Sequence, residues 1–208
     1  MEEILELYHR PLDPEQPLVC FDESSKQLVS ETRSPVPAEP GKPERYDHEY
    51  KREGVSNLFM FFAPLLAWRH VNVTDRRTQN DFAIQMKYLV DEAFPKAKKV
   101  RVVMDNLNTH VPHALYQTFE PDEARRILAR LEFHYTPKHG SWLNMAEIEL
   151  SVLATQCLDR RIPDKATLEA EVAAWEVQRN QQKSTIDWQF STADARIKLK
   201  HLYPSIHT

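Results

Sequence analysis

Two kinds of hydrophobic periodicity alternate along this chain and predict a mixed α/β protein. Short β-rich runs such as Val100 to Met104 predict strands, and apolar residues at helical spacing, as in Gln79 to Phe94, predict helices. The predicted strands are residues 18–22, 57–63, 68–74, 100–104 and 132–136, and the predicted helices are residues 79–94, 113–119, 121–131, 145–158, 165–180 and part of 186–204. Their order favours an antiparallel front half followed by crossover connections.

The segment between the first two predicted strands, residues 24–54, lacks any sustained periodicity. It contains four prolines and two of the three glycines of the chain. An irregular segment of this length within a compact domain is typical of a functional loop or a mobile insert. We therefore expect residues 24–54 to form a long loop.

Composition excludes several functional classes. With three glycines the chain can form neither a dinucleotide-binding fingerprint nor a P-loop, and two cysteines cannot make a four-thiolate zinc site. The longest apolar stretch, residues 58–68, is interrupted by Pro64 and is too short to span a bilayer. The acidic N-terminus is unlike a signal or transit peptide. We therefore expect a cytoplasmic protein that does not enter a membrane.

Charge is unevenly distributed along the chain, which has a formal net charge of −4. Residues 1–50 contain 12 acidic and 5 basic residues, whereas residues 51–208 contain 19 acidic and 22 basic residues. Basic pairs such as Arg76-Arg77 can face phosphates, although solvated helix faces have the same pattern. Charge alone leaves the partner open.

Three carboxylates occupy positions where side chains leave the core for solvent. Asp22 and Asp105 follow predicted strands, and ligands of open α/β sheets collect at the carboxyl ends of strands. Each is a candidate ligand or reactive group and, equally, a candidate cap of the following turn. Glu147 lies in the first turn of a predicted helix, where it fits a capping box with Asn144. Taken together, the three can supply oxygen ligands for Mg²⁺ or Mn²⁺ and so promote phosphoryl transfer.

The residues around these carboxylates resemble the acidic motifs of a known family. The segments are Cys20-Phe-Asp22-Glu-Ser, Asp105-Asn-Leu-Asn-Thr-His110 and Tyr135-Thr-Pro-Lys-His-Gly-Ser-Trp-Leu-Asn-Met-Ala-Glu147. In this order they resemble the three motifs of the DDE transposases, and in particular the bacterial insertion-sequence branch of the Tc/mariner superfamily. The resemblance extends from about residue 18 to residue 204.

This resemblance implies both a fold and an activity. The fold is RNase H-like, with a mixed five-stranded sheet flanked by helices, and the implied division is an N-terminal lead (1–17), a catalytic domain (18–160) and a helical C-terminal extension (161–208). Asp22, Asp105 and Glu147 are implied to hold two Mg²⁺ or Mn²⁺ ions, with Asp22 bridging both. The implied chemistry is hydrolytic nicking of transposon ends, followed by attack of the freed 3′ hydroxyl on target DNA.

The resemblance also implies partners and a location. We expect DNA as the substrate and a homodimer on paired transposon ends. Because nothing before residue 18 predicts the helix-turn-helix modules of the family, the chain is expected to be a catalytic half, and three explanations stay open: one reading frame of a split element with a separately encoded helix-turn-helix module, a remnant, or a truncated form. The expected location is the bacterial cytoplasm, with association to the nucleoid when DNA is bound. Two alternatives stay open, namely a catalytically silent remnant that binds DNA or a partner, and a structure-specific RNase H-like nuclease.

Other side chains near the motifs are candidates for DNA contact or for positioning. The DNA-contact candidates are Lys138, Trp142, Arg76 and Arg77, and the positioning candidates are Asn106, His110 and Asn144. Lysine can contact a phosphate and tryptophan can stack on an unpaired base, although anchoring of the loop on the core explains Trp142 equally well.

Several neighbouring acids and histidines are expected to have no catalytic role. The strand pleat directs Glu23 away from Asp22, and Glu149 lies on a different helix face from Glu147. His134 and His139 suggest a zinc or general-base site with His110, but we expect positioning by His110 and a bracing role for His134.

Overall fold

The chain forms five strands that pair into one mixed sheet. The structure is a computed structural model and describes residues 1–200 apart from Glu44, Tyr46 and His139. The strands are β1 (Leu18–Glu31), β2 (Tyr50–Ala63), β3 (Trp68–Thr74), β4 (Val100–Met104) and β5 (Leu131–Tyr135). Their order in the sheet is β3-β2-β1-β4-β5, in which β1, β2 and β3 are antiparallel and β4 and β5 run parallel to β1.

Helices cover both faces of this sheet. In the described residues they are α1 (Glu2–Tyr8), α2 (Gln79–Tyr88), α3 (His113–Thr118), α4 (Pro121–Ala129), α5 (Met145–Gln156), α6 (Lys165–Gln181) and α7 (Thr192–Lys198). Residues of α1, α5, α6 and α7 pack on one face of the sheet, and residues of α2, α3 and α4 pack on the other. None of these helices has the length and apolar character that a membrane span requires.

The central strand explains why the sheet has two hydrophobic cores. At the start of β1, Leu18 and Cys20 face the α5 side, whereas Val19 and Phe21 face the α2 side. Successive side chains of a strand point to opposite faces, and a strand covered on both faces is a continuous apolar run. The predicted mixed five-stranded sheet flanked by helices is therefore confirmed, with β3 and β4 at their predicted bounds.

The expected long loop at residues 24–54 is wrong. β1 continues to Glu31 and β2 begins at Tyr50, so only residues 32–49 connect the two strands. In the outer part of this hairpin, residues 50–55 of β2 are exposed and residues 23–31 of β1 are mostly half-buried. Strands without a fully buried face lack the apolar alternation that predicts a strand. Gly54 has a φ of +112° and pairs with Leu28 at a register shift between β1 and β2, so this glycine allows a β-bulge there.

The first helix of the α2 side ends differently from the prediction. The α-helix stops at Tyr88 and continues as a π-helical turn, Leu89–Ala93. The Arg130 guanidinium donates hydrogen bonds to the carbonyls of Val90 (2.7 Å), Phe94 (2.8 Å) and Ala97 (2.8 Å). These bonds satisfy carbonyl groups that the end of a helix otherwise leaves without partners.

The N-terminal lead contains a helix that the sequence patterns did not predict, whereas the C-terminal extension is helical as expected. The lead contains α1, whose Ile4, Leu5 and Leu7 are buried in the core that also holds α5. The Tyr8 hydroxyl donates to the Leu143 carbonyl, which joins α1 to the turn before α5. The predicted tail helix is α7, and residues 201–204 of that prediction lie outside the described residues. The division at residues 17/18 and 160/161 stays a prediction.

Candidate active site

Strand register brings Asp22 and Asp105 together at one edge of the sheet. β1 pairs Cys20 with Val103 of β4, and each aspartate follows its paired residue by two positions. Cys20 and Val103 both face the α5 side, so the pleat directs the two carboxylates to that side as well. Asp22 lies within β1, where it pairs with Met60 of β2, and not beyond the end of the strand.

Asn144 positions Glu147 on the other side of the same cleft. Its buried side chain donates from Nδ2 to the Phe21 carbonyl (2.8 Å) and accepts at Oδ1 from the Ala146 amide (3.1 Å). The start of α5 is thereby tied to the strand residue that precedes Asp22. The expected capping box does not form, since the side chain of Glu147 is exposed and has no hydrogen bond to the described residues.

A glycine makes the turn before α5 possible. A Cβ at Gly140 would lie 2.7 Å from Pro137 Cγ and 2.9 Å from the Pro137 carbonyl oxygen, closer than real Cβ contacts. The Gly140 amide donates to that carbonyl at 2.8 Å, and a 3₁₀ turn, Ser141–Leu143, follows. The close contact between Gly140 and Pro137 thus places Asn144 at the start of α5.

An open cleft of about 420 Å³ contains Asp22, Asp105 and Glu147 together. Asn144 and Ser141 also line it, whereas a larger cleft of about 560 Å³ lies at Arg160 and Arg161. Within the part of the chain that the structure describes, no three acidic, histidine or cysteine side chains lie close enough to form a ready-made metal-binding group. The three predicted acids therefore line one cleft, but their side chains are not close enough together to form a complete metal-binding group.

Burial and repulsion among the acids both disfavour ionisation of Asp22 in this cleft. Burial and, to a smaller extent, the charges of Asp105, Glu23 and Glu147 together raise the pKa of Asp22 to about 7. The Glu23 amide, which donates to Asp22 Oδ1 at 2.8 Å, opposes this shift. A carboxylate whose pKa is raised by neighbouring carboxylates is stabilised by a cation. The geometry thus creates a place that favours positive charge.

One cationic side chain contacts this group of acids. His110 donates from Nδ1 to Asp105 Oδ1 (2.7 Å) and from Nε2 to Glu23 Oε2 (2.8 Å). Burial opposes protonation of the ring, but the hydrogen bonds and charges of Asp105 and Glu23 prevail and raise the pKa of His110 to about 9. The hydrogen bond from His110 in turn lowers the pKa of Asp105. Sequence analysis missed the involvement of Glu23, although its position beside Asp22 marked it as a rival acid.

The candidate DNA-contact residues lie outside the lining of this cleft. Arg76 lines a separate cleft at the start of α2, and Arg77, Lys138 and Asn106 are exposed. Trp142 is 40% exposed and packs on the C-terminal segment, stacked on Trp188 with a 6.3 Å centroid distance and edge-on to Phe190.

The remaining acids and histidines have structural partners. Glu149 is fully buried and pairs with Arg69 (2.8 Å) and Arg179 (3.0 Å), away from the cleft. His134 lies between Glu3 (2.6 Å) and Glu132 (3.0 Å), which agrees with a bracing role. His139 lies outside the described residues.

The fold and family of the chain follow from these features and from comparison with known proteins. A mixed five-stranded sheet with helices on both faces is the RNase H-like fold, and the acidic cleft lies at its central strands. The family model of DDE superfamily endonucleases matches residues 17–169, so the chain belongs to this family.

Solved structures that share the fold include complexes of the Mos1 transposase. The chain is similar to the Mos1 mariner paired end complex with Mn (16% identity, TM-score 0.58, covering 88% of this chain and 55% of that chain). It is also similar to the Mos1 strand transfer complex (15% identity, TM-score 0.54, 88% and 54%). The chain thus spans about half the length of the structures it matches. No curated protein is significantly similar in sequence.

Proposed function

We propose that this chain is the catalytic part of a transposase of the bacterial insertion-sequence branch of the Tc/mariner superfamily, acting as a DNA endonuclease and strand transferase. The observation that carries the proposal is the convergence of Asp22, Asp105 and Glu147 in one cleft. Membership of the DDE superfamily endonucleases supports the activity, and the likeness to the Mos1 complexes supports DNA as the substrate.

The proposal assigns two Mg²⁺ or Mn²⁺ ions to Asp22, Asp105 and Glu147, and the chemistry of these three donors supports it. Carboxylate oxygens are the ligands that these ions prefer, and Asp22 Oδ2 and both oxygens of Glu147 have no hydrogen bond to the described residues. Three carboxylates beside a DNA phosphate repel it, so a cationic bridge is needed for the substrate to approach. The Mos1 paired end complex contains Mn, which supports the same expectation here.

When bound, such ions activate a water or hydroxyl and stabilise the leaving oxygen of an in-line phosphoryl displacement. In each of the two proposed steps, nicking and strand transfer, one phosphorus–oxygen bond forms and one breaks, and no covalent bond to the protein is made. His110 keeps the carboxylate of Asp105 ionised and fixed. Asn144 fixes the helix that carries Glu147.

DNA contacts outside the cleft are part of the proposal. Exposed Lys138 and Trp142 flank the start of α5, and Arg76 and Arg77 offer two charges at the start of α2. These positions suit a phosphate backbone that passes the cleft and an unpaired base that stacks. A homodimer on paired ends and a helix-turn-helix module that recognises those ends complete the proposed assembly.

Nicking of DNA that carries the inverted repeats flanking the gene, in Mg²⁺ or Mn²⁺, tests the proposal. We expect cleavage by the wild type, none above background by Asp105→Asn, and wild-type cleavage by Asp122→Asn, whose side chain is fully exposed on α4. Equal cleavage by Asp105→Asn contradicts the assigned roles. DNA binding without cleavage by the wild type indicates a silent remnant, and preference for branched DNA indicates a structure-specific nuclease.

A further inference from the structure

A buried chain of hydrogen bonds connects a fourth acid to the acidic cleft. The His110 ring lies between Glu23 Oε2 (2.8 Å) and Asp105 Oδ1 (2.7 Å). The side chains of Glu23 and His110 are only 3% and 1% exposed, whereas that of Asp105 is 38% exposed. The chain of hydrogen bonds therefore runs from the interior to the partly exposed carboxylate of Asp105.

The surroundings of His110 hold the ring in a single orientation. The ring packs on Phe21 (5.4 Å between centroids) and Phe82 (5.2 Å) in the core of the α2 side. The Tyr135 hydroxyl donates to the His110 carbonyl (3.1 Å), so the backbone is fixed as well. A charged group is buried without large cost only when it is paired and hydrogen-bonded, and Glu23 and His110 satisfy each other.

The strand pleat explains why adjacent acids of β1 have different environments. Asp22 faces the α5 side and the cleft, whereas the next side chain, Glu23, faces the α2 side, where His110 lies. His110 itself belongs to the segment that follows β4 and Asp105. The hydrogen bonds thus join β1 to the segment after β4 on the α2 side of the sheet, opposite the side that Asp22 faces.

We propose that Glu23 and His110 form a positioning brace that holds Asp105 Oδ1 and so leaves Oδ2 directed to a divalent ion. This inference rests on the proposed function. Groups that orient metal ligands through hydrogen bonds affect metal affinity about 10–100-fold when they are removed. The brace makes Glu23 a positioning residue that is distinct from the three ligands.

The chain contains a matched control for this arrangement. His134 also lies between two carboxylates, Glu3 and Glu132, and its side chain is 8% exposed. None of these three residues lines the acidic cleft. If the removal of any buried histidine from between two acids weakened metal binding, His134→Ala would show the same loss. A loss that is specific to the cleft appears in His110→Ala and not in His134→Ala.

Mn²⁺ binding to the DNA-free protein, followed by the electron paramagnetic resonance of free Mn²⁺ at fixed pH, tests the brace. We expect His110→Ala and Glu23→Ala to weaken binding about 10–100-fold. The Mn²⁺ affinity of Glu23→Gln should stay within about 3-fold of the wild type, because the amide oxygen can still accept the hydrogen bond from the His110 ring. The comparison of Glu23→Gln with Glu23→Ala therefore separates the effect of orientation from the effect of charge. His134→Ala should bind like the wild type. Thermal unfolding and circular dichroism establish that each variant is folded.

The outcomes separate the brace from the proposed function. A folded His110→Ala that binds Mn²⁺ like the wild type overturns the brace, while loss of binding in Asp22→Asn leaves the proposed function intact. A wild type that does not bind Mn²⁺ overturns both. If His110→Ala does not fold, equal affinities of Glu23→Ala and Glu23→Gln overturn the brace.

A measurement on the wild type needs no substitution at all. In protein labelled with ¹⁵N-histidine, addition of Mg²⁺ should shift the ring nitrogen signals of His110 and leave those of His134 unchanged. Binding of Mg²⁺ without any response of the His110 ring overturns the brace.

Discussion

Two glutamates separated by one residue on α5 have opposite environments. Glu149 is fully buried and pairs with Arg69 and Arg179, which connect α5 to β3 and α6. Glu147 is exposed in the acidic cleft and has no ion pair or side-chain hydrogen bond to the described residues. The carboxylate of Glu149 is neutralised by ion pairs within the protein, whereas the carboxylate of Glu147 has no such partner among the described residues.

This difference separates a structural use of charge from a functional one. A buried carboxylate with two arginines holds elements in register, and removal of either partner leaves an uncompensated charge. A carboxylate placed beside other carboxylates adds nothing to folding and raises the pKa of its neighbour, as Asp22 shows. The contrast therefore predicts which substitutions change stability and which change activity.

The largest stability effect is expected at Glu149. Glu149→Ala leaves Arg69 buried without its carboxylate, which costs about 3–5 kcal/mol. Urea denaturation of the metal-free protein measures this loss. A change below about 1 kcal/mol contradicts the structural role of the pair.

Glu147→Gln should have the reverse effect. We expect nicking to fall by about 10²–10³-fold, the scale of removing an electrostatic group at a reacting centre. The unfolding free energy should change by no more than about 0.5 kcal/mol, as for other surface substitutions. A stability loss as large as that of Glu149→Ala would remove the distinction between the two residues.

A smaller, pH-dependent effect is expected for Asp22→Asn in the presence of a chelator. The pKa of Asp22 is about 7 in the folded protein against an ordinary value of 3.8, so ionisation of Asp22 destabilises the fold increasingly as pH rises from about 4 to 7. The variant lacks this penalty, so its melting temperature should exceed that of the wild type by about 2–8 °C at pH 8, and the gain should vanish toward pH 4. Thermal melts at both pH values measure the difference, and a gain that is independent of pH contradicts the assignment.

Local sequence patterns predicted the central part of the fold well. β3 and β4 have their predicted bounds, in β4 because a strand buried on both faces is a nearly continuous apolar run. The order of elements predicted an antiparallel front half with crossover connections, and the family resemblance implied the mixed five-stranded sheet that the structure has. The outer parts of β1 and β2, residues 23–31 and 50–55, were missed because their half-buried and exposed side chains show no alternation of apolar and polar residues. The π-helical turn at Leu89–Ala93 was also missed, and its Val90 carbonyl accepts a hydrogen bond from Arg130, which is distant in sequence.

The site shows the same division between local and long-range information. The three acids were predicted from motifs, and the cleft contains them together. The pleat of β1 correctly directed Glu23 away from Asp22, but it could not reveal that His110 lies on that other side. Likewise, Asn144 looked like the partner of Glu147 in a capping box, whereas its amide bonds to Phe21 on β1.

Anomalous diffraction from crystals soaked with Mn²⁺ tests most directly whether the acidic cleft is a divalent metal site. We predict two peaks within coordination distance of Asp22, Asp105 and Glu147, and none at the paired carboxylate of Glu149. Manganese bound elsewhere on the chain, with no peak beside these three carboxylates, would contradict the account.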